Sequence, residues 1–256
     1  MDCNSGVGNM NENVKKQSLG GGISIFTDKD HVFGTDAILL ADFADAECSK
    51  KAVDLGTGCG IIPLLWCRRE KPAHIDGVDI QPSATYLSGL GVKENNLENR
   101  LSIHEGDLCE IETLLQIGSY DLVTCNPPYK AINDGVISPN ERRAIARHEI
   151  KCNLEAVVKA ASLLLNTGGR FCMCHRPSRL VDAMYLMRKH NIEPKRLCFV
   201  HQRDNTEPNL FLIEGKKASS PFLTVMPPIY IENENGEFSD RIKEIMGEYY
   251  LQTRGE

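Results

Sequence analysis

Short apolar segments alternate with longer amphipathic segments along most of this 256-residue chain. Short apolar runs are typical of buried strands, whereas apolar positions that repeat with a helical period are typical of helices covering a sheet. The predicted strands are 51–55, 74–80, 101–105, 120–125, 170–174, 196–201 and 209–214, and the predicted helices are 61–69, 82–95, 153–165 and 178–190.

This alternation also predicts how the strands are arranged. Strands separated by helices favour a parallel sheet with helices on both faces. The last two strands have only the polar turn 202–208 between them, which predicts an antiparallel hairpin. We therefore expect an α/β fold with a Rossmann-like, doubly wound sheet of seven strands.

The segments outside the sheet carry weaker patterns. Residues 23–26 and 31–33 predict a short hairpin, and Asp36 is the expected N-cap of an apolar helix over 37–44. A single domain is expected. Its predicted parts are a flexible polar tail at 1–18, a hairpin and helix at 19–50, the core at 51–215, and an extension at 216–256 with an amphipathic helix from Ser239.

Composition narrows the class of protein. The hydrophobic content is 41%, the charged content is 25% and the net charge is −6, which is ordinary for a globular protein. Neither a long apolar run nor the apolar centre of a secretory signal is visible, so we expect a cytoplasmic protein without a membrane partner. The acidic total disfavours general nucleic-acid binding but leaves room for a local basic patch.

Ten cysteines raise the question of disulfides or a metal. No CxxC pair occurs, and Cys125, Cys172, Cys174 and Cys198 lie in apolar runs, where thiols pack as small hydrophobes. Cys172 and Cys174 are expected to point to opposite faces of one strand. The sequence therefore predicts neither a zinc site nor a disulfide framework.

A glycine-rich turn, Gly56-Thr57-Gly58-Cys59-Gly60, joins the first core strand to its helix. Such glycines permit a tight turn and the close approach of a ligand to the backbone. Ile61 stands where a dinucleotide fingerprint would place its last glycine. Asp54, just before the turn, would repel a pyrophosphate and suits a cation instead.

Acidic residues also follow the next two strands. Asp79 is followed by Ile80, and Asp107 by Leu108. With Asp54, these carboxylates should line one crevice, since the carboxyl ends of parallel strands share one edge of a sheet. The crevice suits a nucleoside that carries a positive charge and an ammonium group, and S-adenosylmethionine has both.

The fourth core strand runs into Asn126-Pro127-Pro128-Tyr129. The prolines fix the backbone and leave carbonyl groups facing outward, the asparagine adds a carbonyl acceptor, and the tyrosine adds a flat face for stacking. Together they predict a rigid pocket for a planar amine. Asn126 Oδ1 and the Pro127 carbonyl would accept its hydrogens during direct in-line methyl transfer.

The glycine turn, the strand-end acids and Asn126-Pro127-Pro128-Tyr129 resemble the class I S-adenosylmethionine-dependent methyltransferases that methylate amino groups. The resemblance implies the class I methyltransferase fold and this cofactor. It further implies that Gly56, Gly58 and Gly60 shape the methionine and ribose site, that Asp79 binds the ribose, and that Ile80, Asp107 and Leu108 lie at the adenine.

Three flanking segments, 33–41, 146–150 and 175–179, resemble the bacterial tRNA(Val) adenine-37 N6-methyltransferase family, most closely its Gram-positive branch. The likeness runs over about 21–249 and implies a tRNA substrate. His148 is interpreted as structural, and Asp36 either caps its helix or reaches the methionine end of the cofactor. The candidate RNA contacts are Arg142, Arg143, Arg147, Arg176 and Arg179.

Other functions remain open at this point. A pocket for a planar amine would also accept a glutamine side chain of a protein, and a non-catalytic module that binds cofactor or RNA could keep the same fold. A nicotinamide oxidoreductase is less consistent with Asp54 and with the glycine spacing. The oligomeric state cannot be read from the sequence.

Overall fold

The structure is a computed structural model that describes residues 14–69, 72–127 and 154–249. The strands in these ranges are β1 (Lys15–Gly20), β2 (Ile23–Thr27), β3 (Lys51–Leu55), β4 (His74–Asp79), β5 (Leu101–Glu105), β6 (Tyr120–Cys125), β7 (Leu165–His175), β8 (Ile192–His201), β9 (Pro208–Lys217), β10 (Thr224–Val225) and β11 (Ile229–Tyr230). The α-helices are α1 (Thr35–Phe43), α2 (Ile61–Cys67), α3 (Pro82–Glu94), α4 (Ile111–Leu114), α5 (Leu154–Leu164), α6 (Leu180–Lys189) and α7 (Asp240–Met246).

The main sheet confirms the predicted fold class. Among the described residues it has nine strands in the order β10-β8-β9-β7-β6-β3-β4-β5, and β11 also pairs with β8. Neighbouring strands are parallel except β9, which is antiparallel to both β7 and β8. The seven predicted strands form its centre, and the two-residue strands β10 and β11 extend its edge.

Two apolar layers cover the faces of this sheet. One contains side chains from α1, α2 and the β1–β2 hairpin, and the other contains side chains from α4, α5 and α6. Because the core strands are apolar on both faces, they can be buried between these layers. This arrangement leaves the carboxyl ends of β3, β4, β5 and β6 together at one edge of the sheet.

The N-terminal hairpin differs from the predicted one. β2 pairs with β1, not with residues 31–33, which form no strand. Gly20, Gly21 and Gly22 all have positive φ and make the turn at little steric cost. Residues 15–18 therefore lie in a strand instead of a flexible tail, because backbone pairing does not require apolar side chains.

The helix α1 begins earlier than predicted. Its N-cap is Gly34, and Asp36 lies within the first turn, so the prediction of Asp36 as the N-cap is wrong. Helical backbone geometry is already established at Thr35. An acidic residue in the first turn still interacts favourably with the positive end of the helix dipole.

The cysteines on β7 also correct an expectation. Cys172 and Cys174 belong to the same apolar layer, while Met173 between them belongs to the other. Side chains alternate along a strand, so residues two apart share a face, and the expectation of opposite faces was wrong. No group of three or more His, Cys, Asp or Glu residues in the described ranges could hold a metal ion.

None of the helices that the structure describes is both long enough and apolar enough to cross a bilayer.

Candidate active site

The glycine turn between β3 and α2 is attached to the neighbouring strand. The amides of Gly56 and Thr57 both donate to the Val78 carbonyl, at 2.8 and 3.0 Å. Gly56 and Gly58 have φ values of +70° and +57°, and a Cβ added to either would meet no atom within 4 Å. These two glycines therefore leave an open cradle beside the ends of β3 and β4.

Gly60 has a different role from the other two. Its φ is +84°, and an added Cβ would lie 3.0 Å from the Ser88 Cβ on α3. The absence of a side chain at Gly60 thus permits close packing of α2 against α3. Its predicted part in cofactor binding stays a prediction.

Asp79 is held rigidly at the end of β4. Its Oδ2 accepts a 2.8 Å hydrogen bond from the Gly58 amide, and its Oδ1 accepts one of 2.9 Å from the Gln81 amide. A carboxylate oxygen has more than one acceptor direction, so both oxygens can also accept a hydrogen bond from a ligand hydroxyl. This geometry fits a carboxylate that binds a ribose diol.

Asp54 lies beneath the glycine turn, not on its surface. It is only 1% exposed, and its Oδ1 accepts a 2.6 Å hydrogen bond from the Thr124 hydroxyl on β6. Burial raises the pKa of this carboxyl to about 7, while the Thr124 hydroxyl opposes the rise and the nearby charge of Asp79 adds to it. Asp54 can act on a bound cation through its charge, not by direct contact.

The remaining candidate cofactor residues occupy nearby positions. Asp107 Oδ1 accepts a 2.9 Å hydrogen bond from the Cys109 amide and caps a short 3-10 helix, so it already has a structural role. Leu108 packs into the core beside α5, and Ile80 is partly exposed directly after Asp79. Asp36 is partly exposed in the first turn of α1.

Asn126 and Pro127 follow directly on β6. The Cys174 Sγ on β7 donates to Asn126 Oδ1 at 3.1 Å, and Pro127 is buried. β6 runs parallel to its neighbours β3 and β7. The amide of Asn126, which follows the carboxyl end of β6, therefore lies on the same side of the sheet as Asp79 and the glycine cradle, at the carboxyl ends of the strands. Pro128 and Tyr129 lie outside the described residues.

Of the arginines predicted to contact RNA, some lie outside the described residues and others lie within them. Arg142, Arg143 and Arg147 lie outside the described residues, as does His148. The Arg176 Nη1 donates to the Asn209 carbonyl at 2.9 Å, and the Arg179 Nε lies 2.8 Å from an Asp182 carboxylate oxygen. Both arginines are exposed just beyond the end of β7.

His175, the last residue of β7, has an environment that its sequence position did not reveal. Burial, together with the charges of Arg179 and Arg176, lowers its pKa to about 4, although the charge of Asp182 partly opposes the shift. Its ring stacks on Phe211, with centroids 6.5 Å apart. At neutral pH the imidazole is therefore uncharged, one residue beyond the thiol that contacts Asn126.

A loop that precedes α1 also reaches this edge. His31 Nδ1 lies 3.0 Å from Asp28 Oδ1, and His31 Nε2 lies 3.2 Å from the Ser83 Oγ at the start of α3. The pairing fastens the loop beside the backbone that follows Asp79. His31 and Ser83 are 52 positions apart, and no motif signals their contact.

Comparison with known proteins shows to which protein family the chain belongs. The sequence model of the family described as the methyltransferase small domain matches residues 23–179, more than half of the chain. The chain belongs to that family. It is a methyltransferase, as the resemblance predicted, and its methyl donor is S-adenosylmethionine.

Individual relatives of this methyltransferase carry a more specific name. A tRNA1(Val) (adenine(37)-N6)-methyltransferase from Porphyromonas gingivalis is 28% identical over 193 residues, covering 73% of this chain and 75% of the relative. A protein of the same name from Yersinia pseudotuberculosis is 30% identical over 176 residues, covering 65% and 69%.

Solved structures agree on the fold. A predicted O-methyltransferase from Agrobacterium tumefaciens superposes with a TM-score of 0.67 at 18% identity, covering 82% of this chain and 95% of its own. A geranyl diphosphate C-methyltransferase from Streptomyces coelicolor, crystallised with S-adenosyl-L-homocysteine, superposes at 0.51 and 12% identity, covering 71% and 76%. The class I methyltransferase fold is thus confirmed for this chain.

Proposed function

We propose that this methyltransferase transfers a methyl group from S-adenosylmethionine to N6 of an adenine in tRNA, at anticodon-loop position 37. The observation that carries the proposal is the placement of the Asn126 amide on the same sheet edge as Asp79 and the open glycine cradle. The names of the relatives support the choice of tRNA as substrate. A tRNA substrate in turn supports a cytoplasmic location.

The cofactor-binding residues belong to the same proposal. Gly56 and Gly58 leave space for the methionine and ribose parts, and Asp79 accepts hydrogen bonds from the ribose hydroxyls. When bound, the cofactor supplies a methyl group on a positively charged sulfur. The further residues that we assign to its site are Asp36, Asp54, Gly60, Ile80, Asp107 and Leu108.

The substrate amine needs help because its lone pair is delocalised into the adenine ring. Asn126 Oδ1 and the Pro127 carbonyl accept its two hydrogens and favour the pyramidal nitrogen that attacks the methyl carbon. The new N–C bond forms as the S–C bond breaks, and the electron pair of the S–C bond stays on sulfur. The positive charge that develops on nitrogen is stabilised by these two oxygens, and the extra proton then passes to water.

Orientation of the reacting atoms supplies much of the remaining rate enhancement. Holding nitrogen, carbon and sulfur in line can contribute about 7–11 kcal/mol at its upper limit. In our proposal Tyr129 stacks on the base and fixes its plane.

Binding of the tRNA is assigned to basic residues near the site. Arg176 and Arg179 are exposed at the end of β7, and Arg142, Arg143 and Arg147 follow Tyr129 in the sequence. Contacts of this kind with phosphates weaken as salt increases. Replacing Arg142 and Arg143 by alanine should therefore raise the KM for tRNA and leave cofactor affinity unchanged.

The test uses labelled S-adenosylmethionine with total tRNA, with total protein, and with neither. Label recovered as N6-methyladenosine supports the proposal, and label found only in protein would overturn it in favour of a protein substrate. A tRNA transcript with guanine at position 37 should accept no label if the position is correctly assigned.

Asn126→Ala tests the mechanism separately from the substrate. Removing one preorganised hydrogen-bonding group from an active site costs roughly a hundredfold in kcat or more. We expect such a loss with unchanged cofactor binding by calorimetry. Near wild-type kcat would remove Asn126 from the mechanism.

A further inference from the structure

Cys174 makes a contact that the proposed mechanism has not used. It lies near the carboxyl end of β7, is fully buried, and donates its thiol hydrogen to Asn126 Oδ1 across 3.1 Å. The strands that carry the two residues are neighbours, with Cys125 opposite Met173 in the register. The position of the thiol is therefore fixed by the backbone of the sheet.

The asparagine side chain has two ends of similar size but opposite chemistry. Its oxygen accepts hydrogen bonds, whereas its NH2 group donates them. Only the orientation that presents the oxygen can receive a hydrogen from the substrate amine. A donor fixed beside the amide favours that orientation, and a carbonyl oxygen has the capacity to accept a second hydrogen bond from the substrate.

We propose that Cys174 is a positioning residue for methyl transfer, holding the Asn126 amide with its oxygen available to the substrate amine. This inference rests on the proposed role of Asn126. Cys174 itself touches neither the substrate nor the cofactor in this account. Its effect should fall on kcat, because cofactor binding depends on the glycine cradle and Asp79.

The same strand provides a matched control. Cys172 lies two residues earlier, is fully buried in the same apolar layer, and has its Sγ 3.7 Å from Glu214 Oε2. If the thiols served only for packing, alanine at either position would lower thermal stability and leave the same catalytic signature. A positioning role at Cys174 predicts different catalytic behaviour for the two variants.

The experiment compares Cys174→Ala, Cys174→Ser and Cys172→Ala for kcat, KM for tRNA, Kd for S-adenosylmethionine and Tm. We expect Cys174→Ala to lower kcat roughly three- to tenfold, the range for loss of one hydrogen bond between neutral groups, with KM and Kd unchanged. Serine keeps a donor, so Cys174→Ser should recover part of the loss. Cys172→Ala should keep the wild-type kcat.

Two results would overturn the inference. One is a kcat for Cys174→Ala equal to that of the wild type, and the other is an equal fall in kcat for Cys172→Ala. Asn126→Ala, measured in parallel, separates this failure from a failure of the proposed function. If Asn126→Ala is inactive while Cys174→Ala is unaffected, the proposed function stands and only the role of Cys174 is lost.

Discussion

Two buried aspartates on neighbouring strands have opposite electrostatic environments. Asp54 near the carboxyl end of β3 is 1% exposed, and Asp76 toward the amino end of β4 is 3% exposed. Burial raises the pKa of Asp54 to about 7, and the hydroxyls of Thr124 and Thr57 offset only part of the rise. The pKa of Asp76 is instead lowered, although burial by itself would raise it.

The difference comes from the groups that surround Asp76. The Tyr120 hydroxyl donates to its Oδ2 at 2.7 Å, His104 Nε2 lies 2.7 Å from its Oδ1, and His74 Nε2 lies 3.1 Å from its Oδ2. Their hydrogen bonds and charges more than offset the effect of burial. Asp76 is therefore ionised, and its contacts with His104 and Tyr120 link β4 to β5 and β6.

The two ends of the strands therefore have different electrostatic roles. Burial disfavours a charged carboxylate unless hydrogen bonds and nearby positive charges favour it. At the amino end, the partners of Asp76 are all supplied by the protein. At the carboxyl end, Asp54 has fewer protein partners, and we propose that the positively charged cofactor lies beside it.

The largest effect is expected from removal of the Asp76 side chain, toward the amino end of β4. Asp76→Ala leaves the buried Tyr120 hydroxyl without its acceptor, and we expect a loss of about 4 kcal/mol in the free energy of unfolding. Urea denaturation measures it, with the exposed Glu112→Ala as control. The kcat of the folded variant should be unchanged, and a large fall in kcat would contradict the separation of the two ends.

The pH dependence of stability should differ between the two carboxylates. Asp54 has a raised pKa in the folded state, so the folded protein holds a proton that the unfolded chain releases between about pH 4 and 7. The contribution of Asp54 to stability should therefore fall as pH rises through this window, by up to about 4 kcal/mol. Asp76 has a lowered pKa, so its contribution is present above about pH 4 and is lost below it.

Asp54→Asn isolates the first of these effects. The amide keeps an acceptor for the Thr124 hydroxyl but does not titrate, so the contribution of Asp54 to the pH dependence of stability between pH 4 and 7 should disappear. Urea denaturation at several pH values measures this. A slope identical to that of the wild type would show that Asp54 does not titrate in this range.

The same variant should weaken cofactor binding. If the charge of Asp54 acts on the sulfonium, Asp54→Asn should raise the Kd of S-adenosylmethionine roughly tenfold, which corresponds to about 1.4 kcal/mol. Calorimetry above pH 7, where Asp54 is ionised, measures it. S-adenosylhomocysteine lacks the charge on sulfur and should lose much less affinity; an equal loss for both ligands would exclude a charge effect.

The smallest effect is expected at the glycine cradle. Gly56 and Gly22 have similar φ values of +70° and +76°, and a Cβ at either meets no atom within 4 Å. Alanine at either position should therefore cost about 1 kcal/mol of stability through backbone strain. Only Gly56→Ala should also weaken cofactor binding, because its methyl group enters the cradle; equal Kd values for the two variants would contradict this assignment.

Much of the core could be predicted from local pattern. β3, β5 and β6 have the predicted bounds, and each is followed by turn-forming residues, namely Gly56, Gly106 and Asn126-Pro127. The hairpin was mispaired because β1 is largely polar and only its backbone pairing makes it a strand. Polar strands of this kind leave no apolar alternation to detect.

The sequence indicated which residues form the site, but not which of their side chains contact each other. The spacing of glycines and acids indicated which residues to consider. The contacts of Thr124 with Asp54 and of Cys174 with Asn126 join positions 70 and 48 apart, respectively. Such contacts depend on which strands become neighbours, and local periodicity does not contain that information.

The position of β9 has a consequence for how the protein is made. β9 lies between β7 and β8, although it follows both in the chain. During synthesis, β8 has no place in the sheet until β9 has emerged from the ribosome, and β7 keeps an unpaired edge until then. The strand β7, which carries Cys174, therefore gains its second neighbour late, and nascent chains that stop short of residue 208 should expose a strand edge to chaperones.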